Sequence, residues 1–334
     1  MTTNLQTNEM LLDPGISLRF ARWDDLSAVT QLVYDVCEAD GDTTVAVTED
    51  EMKHEWESPG FNIETDGIVA VTAEGRIVGY EEFYNEHEHS KLRTDGYVHP
   101  KFKGLGIGTA LMRAIGERAL REIELAEPGA RVYIHSAMDA RDRDGRSIHE
   151  GEGYVPVRYH WRMQADLQSP PPVAVFPDGI ELRPFEREEH AYVVWQATSD
   201  AFSDHWEHHD MPFGEWVSYR LENSNFDPSL WMIAWYGDQI AGFSQNRYRM
   251  GIGWIGTLGV RRPWRKQGLG YALLIHSFDE FYKRGMKTIG LGVDAQNPTG
   301  ATHLYQKAGM YAASEFVTYE KEIRPGKEIS VQSL

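Results

Sequence analysis

The chain has 334 residues, 41% of them apolar and 25% charged, and a formal net charge of −18. That composition leaves room for two or three ordinary domains and excludes wholesale disorder. The negative charge disfavours a general nucleic-acid binder or a protein held on anionic lipid, and no apolar run is long enough to span a bilayer. The single cysteine, Cys37, has no internal disulfide partner. The opening stretch MTTNLQTNEMLLDPG lacks the basic start and apolar run of a signal peptide, so the expectation is a soluble, cytoplasmic protein.

In chain order, ISLRFARWDDL opens the first half as a short alternating strand running into an acidic helix start. GIVAVTAEGRIVGYEEFY reads as a β-hairpin turning at Glu74-Gly75. EHEH (Glu86 to His89) reads as a solvated charged stretch. A strand then runs into the basic, glycine-spaced turn VHPKFKGLGIG (Val98 to Gly108). The helix that follows has Leu111, Ile115 and Ala119 as its apolar stripe. RVYIHS is the next strand, and the charged DARDRDGRSIHEGEGY predicts only a short or frayed helix.

QADLQSPPPVAVFPDG, residues 164–179, carries three consecutive prolines and a fourth at Pro177, which deny helix and interior strand alike. Beyond this linker the order repeats. IELRPFEREEH matches the first opening, and LWMIAWYGDQIAGFSQNRY is a second hairpin turning at Gly237-Asp238. WIGTLGV is a strand, VRRPWRKQGLG (Val260 to Gly270) a second glycine turn, and YALLIHSFDEFYKRG a helix with Leu274, Phe278 and Phe281 on its apolar stripe. Gly285 stops that helix, and TIGLGV follows as a strand. The reading is a duplicated domain of the α/β (α+β) class, with halves at 16–163 and 179–323 joined by 164–178.

A turn of this kind between a strand and a helix leaves backbone N–H groups unpaired at the helix N-terminus, where the helix dipole favours an anion such as a pyrophosphate. Gly268 and Gly270 remove Cβ atoms that would block it, and Arg265 and Lys266 add positive charge. Lys103, Gly106 and Gly108 hold the matching places in the first half. A dinucleotide-binding unit needs its glycine turn after the first strand, whereas this turn comes later, after a hairpin. A Walker phosphate loop needs a following Gly-Lys-Ser/Thr, which is missing.

Strand order, hairpin and turn together resemble the GNAT (GCN5-related) N-acetyltransferases over residues 16–163 and 179–323. DAQNPTGATHLYQKAGM looks like that family's second cofactor segment, with Asn297, Ala301, Tyr305 and Gly309 in its places and Met310 where an aromatic is usual. The tandem layout is similar to the family's two-domain mycothiol synthase group. The resemblance implies two domains, each a mixed, mostly antiparallel twisted sheet flanked by helices, with a splayed strand pair that accepts coenzyme A. It implies acetyl-CoA as cofactor, no metal, and a small-molecule amine as acceptor. Neither nucleic acid nor membrane is an expected partner, and the oligomeric state is left open.

The reaction implied is direct attack of an amine on the thioester. It needs an uncharged amine, stabilisation of the oxyanion and a proton for the leaving thiolate. By resemblance, Leu258, Gly259 and Val260 take the pantetheine, and Arg265, Lys266, Gln267, Gly268, Leu269 and Gly270 the pyrophosphate. Asn297 and Ala301 complete the cofactor contacts, and Tyr305 is the general acid; the bland alternative for Tyr305 is a core aromatic. Val98, Lys103, Gly104, Gly106 and Gly108 mark a possible second cofactor site. No ionisable residue stands on the strand GWIGTLG, so the base is open. His205 and Glu207 of the loop AFSDHWEHHDMPFGEW (201–216) are candidates, and Trp206 and Trp216 are candidate walls of an acceptor pocket. A metal held by His205, His208 and His209 with Asp204 and Asp210 is disfavoured, because adjacent loop histidines rarely converge on one ion. In the first half His149 stands where Tyr305 does, Gly145 for Ala301 and Arg141 for Asn297. That unit is expected to be a structural partner, with His149 as acid the alternative. A mycothiol-type amino-sugar acceptor, and a non-catalytic acyl-CoA-binding protein, are the other functional readings.

Overall fold

The computed structural model describes residues 15–209, 211–223, 225–297 and 299–329. The opening residues and Asp210 lie outside them. Among the described residues no helix is long and apolar enough to cross a membrane. The chain divides into two compact units. One comprises the residues up to Arg158 together with Phe316–Ile329, the other Tyr159–Glu315.

In the first unit β1 (Ile16–Phe20) leads into α1 (Leu26–Ala39), α2 (Glu49–Trp56) and α3 (Ile63–Asp66). The antiparallel strands β2 (Gly67–Thr72), β3 (Ile77–His87) and β4 (Lys91–Val98) follow. The β2–β3 turn carries Gly75 at φ 86°, the left-handed region that glycine enters without steric cost. Next come α4 (Ile107–Ala119), β5 (Val132–Asp139) and α5 (Arg143–Gly151). The core forms where α4 buries Ile107, Leu111 and Ile115 against Ile68 and Ala70 of β2, Leu92 of β4 and Ile134 of β5. Apolar side chains three and four apart on the helix meet a sheet face of strand residues two apart.

The sheet of this unit ends on a strand from the far end of the chain. Its order is β1-β2-β3-β4-β5-β12, where β12 is Tyr311–Arg324. Phe316–Arg324 of β12 pair antiparallel with β5. Arg131 binds Glu320, Glu322 and Glu328 there, and the Arg324 guanidinium donates to the carbonyls of Ile123, Glu127 and Ala130.

The second unit begins inside β6 (Val155–Asp166), whose residues His160–Asp166 pair with β11 (Thr288–Asp294). Between them lie β7 (Ile180–Pro184), α6 (Arg187–Phe202), α7 (Phe213–Leu221), β8 (Trp231–Tyr236), β9 (Gln239–Arg249), β10 (Ile252–Val260) and α8 (Leu269–Lys283). The order is β6-β11-β10-β9-β8-β7, and α9 (Ala301–Lys307) precedes β12. Leu274, Phe278 and Phe281 of α8 pack on Ile289 and Leu291 of β11. A second layer joins Val194 and Ala197 of α6 and Trp216 of α7 to Trp231 and Ile233 of β8.

Both sheets are mixed and mostly antiparallel, with helices packed on them, as the α/β reading expects. The division of the chain falls elsewhere than at 163 and 179. β6 runs on to Asp166, three residues into the expected linker, and the strand that completes each sheet comes from the other side of that linker. EHEH is also more tied down than expected, since Glu86 binds Lys91 and Arg93 and His89 binds Glu122.

Candidate active site

In the first unit β4 and β5 run parallel and pair only from Lys91 to Thr94 against Tyr133 to Ser136. Beyond that point the strands part. A cavity of about 580 Å3 is lined by Asp95–Val98 on one side and Ser136–Asp139 on the other. It extends to the glycine turn, where Lys103, Gly104, Gly106 and Gly108 line it. Gly106 caps α4 at φ 78°, and no side chain caps the helix, so its first N–H groups stay available to an anion. Lys103 lies 3.6 Å from Asp142.

Sequence reasoning passed over the carboxylates of this cavity. Glu81 of β3 sits opposite Gly96 of β4, and a Cβ at residue 96 would overlap its carboxylate. Glu81 is 4% exposed, lines the cavity, and its Oε1 is buried with no hydrogen-bond partner. Burial, and then Asp95, push its carboxyl up to about 8; the Thr94 hydroxyl, short of hydrogen-bonding geometry, pulls the other way. Its neighbour Glu82 is also pushed up to about 8, first by burial, and accepts a hydrogen bond from the Tyr80 hydroxyl at 2.8 Å. Asp95 is raised by burial and accepts from the Tyr97 hydroxyl at 3.0 Å. One signal was available: GYEEFY in the first hairpin stands against GFSQNR in the second.

His149 lines the same cavity. Its Nδ1 lies 2.7 Å from the Gly145 carbonyl and its Nε2 2.9 Å from Ser136 Oγ. The carbonyl can only accept, which assigns the ring hydrogen to Nδ1 and leaves Nε2 to accept from Ser136. Burial lowers the imidazole's pKa, so the ring is neutral near pH 7 and holds no spare proton for a thiolate. The helix that carries it is not frayed. α5 has nine residues against seven in α9, because Asp142 accepts from the N–H groups of Asp144 and Gly145 at its start.

In the second unit β10 pairs with β11 only from Gly253 to Ile255, and the register of β10 on β9 shifts at Gly256, so this strand pair is splayed and bulged too. Gly268 caps α8 at φ 88° without a side-chain cap. Gly259 is glycine because a Cβ there would strike the Phe243 ring. The arginines of the turn are engaged within the unit. Arg265 donates to the carbonyls of Val260 at 3.0 Å and Ala201 at 2.9 Å and pairs with Asp204 at 2.9 Å, and Arg262 binds the same carboxylate. Gln267 donates to the Pro263 carbonyl. Two cavities beside this turn and bulge are smaller. One of about 290 Å3 is lined by Trp264, Gln267 and Leu269, and one of about 30 Å3 by Gln245 and Gly256.

Asn297 uses its Oδ1 to accept from the N–H and hydroxyl of Thr299, the turn that leads into α9. Tyr305 is buried in an apolar cluster with Met310 and Leu304, and burial pushes its phenol up to about 12. Of the loop residues, Trp216 is 4% exposed and belongs to the core rather than to a pocket wall. Burial lowers the pKa of His205, whose ring lies tilted at 50° to that of Phe202 with centroids 4.4 Å apart.

The parted strands and the uncapped glycine turn occur twice, and each half matches the same family independently. Residues 191–310 match the acetyltransferase (GNAT) family, and residues 64–141 an acetyltransferase (GNAT) domain. The chain belongs to the GNAT acetyltransferases and carries two such domains in tandem. It is 30% identical to a mycothiol acetyltransferase of Thermobispora bispora, over 67% of this chain and 74% of that one. It is 28% identical to one of Catenulispora acidiphila, over 73% and 77%. Among solved structures it is similar to a GCN5-related N-acetyltransferase from Sphaerobacter thermophilus, at 34% identity and a TM-score of 0.81, covering 96% of this chain and all of that one. A tandem GNAT protein from the clavulanic acid biosynthesis pathway shares the fold at 15% identity, with a TM-score of 0.71 over 93% of this chain and all of that one.

Proposed function

We propose that this acetyltransferase moves the acetyl group of acetyl-CoA to a primary amine of a small molecule, by direct attack of the amine on the thioester. The observation that carries the reading is the first unit's cavity, which joins the glycine turn to the parted edges of β4 and β5. Its volume suits a ligand site, and its turn presents N–H groups to a pyrophosphate. The second unit repeats the turn and the splay. We assign it a second acetyl-CoA, on the Arg265–Gly270 turn, with Leu258 and Val260 along the pantetheine. Tyr305 is its proton donor: a phenol held up to about 12 stays protonated near pH 7, the state a donor needs, although transfer to an ordinary thiolate is then uphill. The likeness to mycothiol acetyltransferases favours an amino-sugar conjugate as a second reading of the acceptor.

Native mass spectrometry of the whole chain with acetyl-CoA tests this. Gly108 and Gly270 lie inside their helices with ordinary backbone angles, so Gly108→Glu and Gly270→Glu block a turn without left-handed strain. We expect two acetyl-CoA per chain, each variant losing one, and thiol release by the Gly108→Glu chain that falls at least tenfold on Tyr305→Phe. A chain that binds no acetyl-CoA at either turn sinks the reading.

A further inference from the structure

Register aligns the two units residue by residue around their reaction centres. Gly79 pairs with Val98, and Gly242 with Val260. A Cβ at Gly79 would meet Ile107 and Leu111 of α4; one at Gly242 would meet Leu269 and Leu273 of α8. Counting on from these matched glycines, Glu81 corresponds to Ser244 and Glu82 to Gln245. Across the hairpin, Asp95 corresponds to Thr257 and Gly96 to Leu258. The carboxylates of the first unit therefore have neutral counterparts in the second. Where Leu258 places a side chain, Gly96 leaves room for the Glu81 carboxylate.

We infer that the first unit is an acyl-transfer centre in its own right, in which Glu81 takes the proton from the acceptor amine. This rests on the acetyl-CoA reading given above. Glu81 is nine-tenths buried, its Oε1 has no partner, and it borders the cavity two residues beyond the last β4–β5 pair, at the start of the gap that would take the pantetheine arm. A buried carboxylate without a partner is costly to keep for structure alone, since an apolar side chain would fill the place without the desolvation penalty. In the step assigned, an ammonium R–NH3+ gives one proton to the Glu81 carboxylate. Its nitrogen forms the new C–N bond at the thioester carbon, the C–S bond breaks, and the nitrogen's second proton goes to the departing thiolate. The products are the amide, CoA–SH and a neutral Glu81 carboxyl group. The groups that face this carboxyl are Asp95 and Thr94 of β4, Glu82 of its own strand, and Tyr154. Burial holds it near 8, well matched to accepting a proton from an amine at neutral to mildly alkaline pH.

The test uses the full chain with its second turn blocked by Gly270→Glu. Acetyl-CoA occupancy is read first, by native mass spectrometry, and then thiol release with spermidine, glucosamine and 2-phenylethylamine as acceptors. The expected result is one acetyl-CoA bound, thiol release with at least one amine, and a loss of about a hundredfold on adding Glu81→Gln while occupancy is unchanged. Gly96→Ala, which displaces the carboxylate by overlap, gives the same loss by a second route. A Glu81→Gln loss of less than tenfold overturns the inference. So does a Gly270→Glu chain that binds acetyl-CoA and releases no thiol with any of the three amines. Both outcomes leave cofactor binding standing, whereas an empty wild-type chain overturns the proposed function itself.

Discussion

At the scale of single residues, the chemistry lies in groups whose protonation the fold has shifted. Glu81 is such a case, held up to about 8 against an ordinary 4.5. Its proton is bound in the folded chain over a range in which the unfolded chain has lost it. The stability this contributes is complete below about 4.5 and is lost as pH rises through about 8. Glu82 shifts the same way, so wild-type melting temperature should fall between pH 5 and pH 8.5. Glu81→Gln, which cannot ionise, should flatten that fall in part. Calorimetry across the range checks it, and an unchanged slope would mean that the carboxyl is not held neutral. The shift was not legible from the sequence, and the position was marked only by the contrast of GYEEFY with GFSQNR. GYEEFY shows two adjacent glutamates on a strand, which places one on each face, but it does not show that both faces are buried.

At the scale of elements, the glycine turns were legible, because φ is a property of the local chain. Gly106 and Gly268 stand at the left-handed caps, while Gly108 and Gly270 are the second residues of their helices. Gly268→Ala should therefore cost about 1–2 kcal/mol in backbone strain and lower the melting temperature by a few degrees. Gly270→Ala, whose Cβ would sit 3.3 Å from a Leu304 methyl, should leave it nearly unchanged. Equal effects in a thermal melt would show that the cap geometry is not what the glycines serve. The α5 helix went the other way. Its charged sequence lowered expectation, yet Asp142 at its start and burial of His149 on the cavity side stabilise nine helical residues. Amphipathic pattern underrates a helix whose inward face is polar.

At the scale of the whole molecule, the two units exchange their closing strands. The first half of the sequence alone, residues 16–163, would leave β5 without Phe316–Arg324 and Arg131 without Glu320, Glu322 and Glu328. An open strand whose first five residues, Val132 to Ser136, are all buried in the complete fold is a template for aggregation. We expect that fragment to be insoluble or protease-sensitive, and to be rescued when the chain continues through Ile329. A fragment that melts cooperatively by itself would show that β12 is dispensable to the unit.

The sequence by itself determined the duplication and the order of hairpin, turn and helix, and its resemblance to a known family pointed to the class of enzyme. Duplication and order are written in local periodicity and in residues that only certain backbone angles admit. The tertiary structure alone decided which strand completes which sheet, since pairing at the end of a sheet depends on segments far apart in the chain. It also decided which polar residues share a cavity. Glu81, Gly96 and His149 are separated by 15 and 53 residues, and only the parting of β4 from β5 gathers them around one space. The proline-rich stretch reads as a boundary because proline breaks elements locally. The contact boundary lies elsewhere because burial, which acts across the chain, draws the strands on either side of it into opposite units.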